Sequence, residues 1–282
     1  MQKEKYLIIP NKKELKLYEK YNFNTFILPL EDYSIGFDVY FNIDEINELA
    51  GKYEIYVIMN KFLHRNIYKF KELYSKFNKS IKFIIEDIGL VNIIDKDRLV
   101  LYENHILSNY VAINYLGGLG FKNVVINNDL TIDEIKEIMK KVNSNIFYFY
   151  VSHNHLMYSR RNLVTNYNKY FNMNDVKEYK IKEEVSHEVL NIKEEKDGSI
   201  VTFNKIFCAS KYLDELKGIN LIINFSGIDS INEKMILEKY NKKELCNLID
   251  SDYYFLENDI KYKVGDLKWN MSYYYLLGTL ED

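Results

Sequence analysis

The stretch "NVVINNDLTIDEIKEIMKKVNSNIFYFYV", Asn123 to Val151, spells out one structural unit and opens the next. A short β-branched run leads into a segment of helical period, and Thr131 with Glu134 three residues on has the spacing of a capping box. A second strand-length run, "NIFYFYV", follows directly. Strand, helix and strand in this order are what a parallel sheet needs, because each crossover helix packs back on the sheet.

The same unit repeats outward. "YLIIP" at Tyr6 leads into "NKKELKLYEKY", and "TFILPL" at Thr25 leads into "NIDEINELAGK", where Asn42 and Glu45 offer another capping box. "IYVIMN" at Ile55 precedes "IYKFKELYSKFN", and "IKFIIE" at Ile81 precedes the short "GLVNIID". "LVLYE" at Leu99 precedes "SNYVAINYLGGLG", whose glycines end a helix. After the seventh strand, at Asn145, about 70 residues pass before "NLIINF" at Asn220 supplies an eighth.

Eight β/α units predict an α/β fold, a single (β/α)8 TIM-type barrel, over an open doubly wound sheet. Neither G-x-G-x-x-G nor a P-loop pattern follows any strand, as the open-sheet alternative would need. Residues 1–282 are read as one barrel domain. Residues 152–219 form an insertion between strands 7 and 8, carrying the polar loop "SHNHLMYSRRNLVTNY" and a β-hairpin that turns at Asp197 and Gly198.

Composition excludes several classes. The 282 residues carry 38 basic against 41 acidic side chains, so no global charge advertises a nucleic acid or an anionic membrane. Two cysteines, Cys208 and Cys246, support neither a disulfide framework nor a tetrahedral thiolate metal site; both read as buried thiols on helices. The apolar run near the start is far too short for a signal peptide, and none elsewhere approaches the ~20 residues of a membrane span. A cytoplasmic location without membrane attachment is expected.

In a (β/α)8 barrel the chemistry sits on the loops at the carboxyl ends of the strands. His64, His105, His153 and His155 all fall there, as do Asn60 and Lys61, Glu86 and Asp87, Glu103, and Asn127 to Asp129. Imidazole and carboxylate groups on one rim could hold a divalent metal, although no HExxH or facial-triad spacing supports one. Glu86 with a second carboxyl could instead act as acid and base; neighbouring Asp87 would point the other way and cap the next turn. Arg160 and Arg161 form the chain's one arginine pair, a fork suited to a carboxylate or phosphate.

Several segments in order, "IYVIMNKFLH", "FIIEDIGLVNII", "LSNYVAINYLGGLGFKNVVINNDLTIDEIKEI", "HLMYSRRNLVTNY", "KEEKDGSIVTFNKIFCASKYLDEL" and "INLIINF", resemble the collagenase-like peptidase family of unassigned catalytic type, family thirty-two of the peptidase classification. The resemblance runs from about Tyr53, and "MYSRRNLVTNY" is its most specific block. It implies a barrel and one of two activities: proteolysis, or hydroxylation-type RNA modification and quinone synthesis. Members of the second kind look like iron–sulfur proteins with cysteines around this block. Here Leu156 and Asn162 occupy those positions, Arg160 replaces a glycine, and "NFSGIDS" replaces an acidic segment. Two thiols cannot ligate a cluster, so none is expected.

The expected function is therefore a peptidase acting on a peptide or small anionic substrate at the barrel mouth. Its catalytic residues are read as Glu86, His105, His153 and Tyr158, with Asn60, His64, Arg160, Arg161 and Asn166 binding substrate and no assigned metal. In this scheme a histidine or Glu86 activates water, Tyr158 donates to the oxyanion, and Arg161 orients a carboxylate. The alternatives are an RNA-modifying or RNA-binding protein, using the arginines and tyrosines, and a non-catalytic partner subunit.

Overall fold

A computed structural model describes residues 5–103, 106–184, 187–242 and 248–257. His105 and Cys246 lie outside the described residues. The first seven strands are β1 (Tyr6–Ile9), β2 (Thr25–Pro29), β3 (Glu54–Met59), β4 (Lys82–Ile85), β5 (Leu99–Leu101), β6 (Asn123–Val125) and β7 (Asn145–Ser152). They are interleaved with α1 (Lys16–Glu19), α2 (Ile43–Leu49), α3 (Ile67–Tyr74), α4 (Tyr110–Gly118) and α5 (Ile132–Lys141). Between β4 and β5 the crossover is too short for an α-helix and forms 3-10 turns, the first over Ile88–Asn92.

Beyond β7 come β8 (His155–Ser159), α6 (Leu163–Phe171), β9 (Glu178–Lys182), β10 (Val189–Glu195), β11 (Gly198–Phe203), β12 (Ile206–Cys208), β13 (Asn220–Asn224), α7 (Ser230–Lys242) and β14 (Ser251–Asp252). Strand β13 pairs in parallel with β1 through Tyr6–Leu221 to Ile9–Asn224, and with β7 through Asn220–Phe147 to Ile223–Val151. It thereby closes β1 to β7 into an eight-stranded parallel (β/α)8 barrel.

Alternation along each strand divides the core in two. Leu7, Ile9, Ile27, Tyr56, Ile58, Ile84, Val100, Val125, Phe147, Phe149 and Ile222 fill the barrel interior as one cluster. Their neighbours Ile8, Phe26, Val57, Phe83, Leu101, Val124, Tyr148 and Ile223 face outward under helix residues such as Ile46, Phe70, Ile113 and Ile135. Strands buried on both faces read as continuous apolar runs, which is why the sequence shows no polar alternation there. Both capping boxes form, Asn42 with Glu45 and Thr131 with Glu134.

The insertion departs from its sequence reading. It builds a four-stranded antiparallel sheet in the order β8–β11–β10–β9, of which the expected hairpin is β10–β11. The stretch read as a polar loop is strand β8 followed by helix α6, whose chain leaves through Asn172 in the left-handed region. A bulge opposite Val201 and Thr202 leaves Leu156 and Met157 half exposed, and this breaks the alternation that would have announced a strand. Cys208, expected on a helix, sits in β12, which pairs with Val151 and Ser152 on the edge of β7 that the short β6 leaves open. No helix among the described residues is long and apolar enough to cross a membrane.

Gly198 at the hairpin turn has φ +142°, and a β-carbon there would overlap the Ser159 carbonyl oxygen of β8. Gly198→Ala is expected to destabilise the protein by about 2–4 kcal/mol in urea unfolding, with amide exchange rising first across β8 and β11.

Candidate active site at the barrel mouth

Extending each strand's inward parity by one step gives the residues at the mouth: Asn60 after Ile58, Glu86 after Ile84, Tyr102 after Val100, Asn127 after Val125 and Asn224 after Ile222. Asn60 is buried and engaged with the backbone: its Oδ1 accepts from Ile35 N at 2.8 Å and its Nδ2 donates to Ile35 O at 3.0 Å. It fixes the loop after β2. Asp87 points away, accepting from Gly89 N at 2.9 Å and Leu63 N at 2.8 Å, so it caps the following turn.

A cavity of about 330 Å³ lies between this rim and β8. Glu86, Glu103, Asp129, Asn154, His155 and Tyr158 line it together with Phe62, Tyr102 and Phe203. Burial, reinforced by the charge of Glu103, raises the Glu86 carboxyl well above the ordinary range. Its Oε1 is buried without a hydrogen-bond partner. Asn154 is 7% exposed; its Oδ1 accepts from Ser152 Oγ at 2.7 Å and Asn128 Nδ2 at 3.2 Å, while its Nδ2 has no partner. Tyr158 stacks on Phe62 at 6.0 Å and donates its hydroxyl to Asp197 O at 3.1 Å.

His153 and His155 both border a smaller hollow inside the mouth and a wider one of about 550 Å³ between the rim and the inserted sheet. His153 Nδ1 lies 3.2 Å from Phe203 O, which places the proton on that nitrogen, and burial lowers its pKa. Burial, with the His153 charge second, holds His155 down to about 4, so near neutral pH it is an uncharged imidazole. The inserted sheet is tied to the barrel by the Lys61–Asp197 ion pair at 2.7 Å and by Tyr40, whose hydroxyl donates to Glu195 Oε2 at 2.7 Å.

Of the residues expected at the site, Glu86 and Tyr158 share the cavity between the rim and β8, and His153 faces the two neighbouring hollows. His64 is exposed in a 3-10 turn, Arg160 and Arg161 are exposed where β8 ends, and Asn166 is exposed on α6; none of the four lines these cavities. Asn154, His155 and Asp129 were not among the expected catalytic or binding residues. For His155 the signal was its i,i+2 spacing from His153, and for Asn154 there was none. Cys208 donates to Ser210 Oγ at 3.3 Å and burial raises its thiol, the state of a structural cysteine. Four thiolates for an iron–sulfur cluster do not exist in a chain with two cysteines. Among the described residues, no three His, Cys, Asp or Glu side chains are grouped to hold a metal ion.

Two outcomes follow from this geometry. Because Glu86 binds its proton more tightly folded than unfolded, stability is lost as pH rises from about 4.5 through the folded-state value. Glu86→Gln removes that loss, so its stability relative to wild type should grow with pH in urea titrations; a pH-independent difference would contradict the assignment. Asp197→Ala strands the buried Lys61 ammonium, whereas Lys61→Met leaves a half-exposed carboxylate. The first should cost about 1–3 kcal/mol and the second less.

Comparison with known proteins places this geometry in context. No curated protein matches the chain. A solved structure described as the U32 peptidase Mk0906 superposes with a TM-score of 0.46 at 10% identity, covering 80% of this chain and 94% of that one. The sequence profile of peptidase family U32 matches residues 37–233, well over half of the chain. The span runs from the loop after β2 to the start of α7 and takes in every residue of the cavity described above except Phe255. The chain belongs to peptidase family U32.

Proposed function

We propose that the chain hydrolyses an amide bond of a peptide held in the mouth cavity lined by Glu86, with Glu86 as general acid and Glu103 as general base. Glu86 carries the reading. It is an inward-facing carboxyl with a buried, unpartnered oxygen on a cavity wall, and burial beside Glu103 raises its proton affinity. A carboxyl whose surroundings raise its proton affinity, standing beside a second carboxyl, is suited to the acid role with the second as base.

The chemistry balances without a cofactor. Water attacks the peptide carbonyl carbon while the Glu103 carboxylate takes its proton. Asn154 Nδ2, the donor without a partner, faces the oxygen on which negative charge develops. Glu86 gives its proton to the nitrogen as the C–N bond breaks, and solvent exchange returns Glu103 to carboxylate and Glu86 to acid. Tyr158, its hydroxyl donated to Asp197, and Phe62 wall the cavity on the side of the inserted sheet.

Cleavage of quenched-fluorescent gelatin or casein by the purified chain tests this. Glu86→Gln is expected to lower kcat/KM by about 10²–10⁴-fold with an unchanged circular dichroism spectrum. Full activity in Glu86→Gln would remove Glu86 from the mechanism.

A further inference from the structure

The wide hollow of about 550 Å³ takes no part in the chemistry above, yet it shares His155 with the cavity of Glu86. Strand register explains the junction. Across the inserted sheet Lys180, Asn191 and Thr202 stand in one row that ends at His155, and Glu178, Lys193 and Ile200 stand in a second that ends at Tyr158. On a regular strand residues three apart face opposite ways, and the bulge opposite Val201 and Thr202 is what brings His155 and Tyr158 to the same cavity. The other face of the sheet is closed by α6, where Ile192 and Val201 pack with Val164. The inner face is one surface shared by the wide hollow and the Glu86 cavity.

Opposite this sheet the barrel supplies Asn224 and Ser226 at the end of β13. Asn224 is 5% exposed; its Oδ1 accepts from Ser226 N at 3.0 Å, and its Nδ2 has no hydrogen-bond partner among the described residues. The ring nitrogens of His155 have none either, and a neutral imidazole offers one donor and one acceptor. A nearly buried donor left without a partner is unfavourable, and a ligand that brings an acceptor relieves it. The charged residues of the lining, Asp38 and Glu178 against Lys180 and Lys193, are two of each sign and select no ion. An uncharged chain that carries an N–H donor and a C=O acceptor at every residue matches these groups, and that is a peptide main chain.

We infer that the main chain of the substrate continues from the Glu86 cavity past His155 into the wide hollow and lies along the inner face of the inserted sheet, with a carbonyl oxygen on Asn224 Nδ2 and an N–H on the free acceptor of His155. The inference rests on the hydrolase reading for taking the ligand to be a peptide. Recognition in the hollow is then by main chain, so affinity grows with chain length and depends on the main-chain N–H groups.

The test separates binding from turnover. Calorimetry with the Glu86→Gln protein measures affinity for blocked, uncharged peptides of two, four, six and eight residues. The longest should bind about tenfold or more tightly than the shortest, and N-methylation of its main chain beyond the second residue should abolish the gain. Adding Asn191→Trp or Lys180→Trp, which fill the hollow from two different strands, should bring the long and short peptides together, with circular dichroism confirming the fold. Affinity independent of length, a gain that survives N-methylation, a gain that survives both tryptophan variants, or no binding of any peptide would each overturn the inference. A length-dependent gain without turnover by wild type would instead leave it standing and remove the hydrolase reading. Turnover with no such gain would do the reverse.

Discussion

The pairing of β13 with both β1 and β7 is the constraint on which the rest depends. Four consecutive residues, Leu221 to Asn224, match Tyr6 to Ile9 in parallel, and the opposite edge of β13 meets Phe147 to Val151. Closure leaves the barrel strands without free edges along this seam and turns their carboxyl ends toward one rim. It also sets the inward parity that puts Asn60, Glu86, Tyr102, Asn127 and Asn224 around a single mouth. A one-residue slip in any of these strands would send its polar end residue under the helices and an apolar one into the site.

On that rim the inserted sheet supplies what the barrel lacks. Strand β8 forms one cavity wall, and its position follows from the β10–β11 turn, where Gly198 packs under Ser159 and Asp197 pairs with buried Lys61. Strand β8 also stands across the cavity from Glu86. A carboxyl at the end of a strand is ordinarily solvated and ionised; burial beside Glu103 raises the proton affinity of Glu86.

Much of this was legible in the sequence. The barrel strands, the two capping boxes and the hairpin turn at Asp197 and Gly198 each rest on local pattern, and local pattern decided them. Glu86 and Asp87 were separable in advance because adjacent strand residues face opposite ways. What stayed hidden is non-local. Strand β8 reads as a polar loop because its bulge breaks the alternation, and Asn154 gains its meaning from Ser152 and Asn128, which occupy its oxygen. The arginine pair was conspicuous by rarity, but rarity says nothing about direction, and the fold leaves both side chains exposed.

The central claim is that Glu86 is a protonated acid at the mouth of the barrel. Carbon-13 NMR titration of the side-chain carboxyls, with Glu86→Gln to assign the resonance, measures this directly. The account predicts a Glu86 carboxyl that still carries its proton at neutral pH, well above the other glutamates. A resonance titrating near 4.5 with the rest would contradict it.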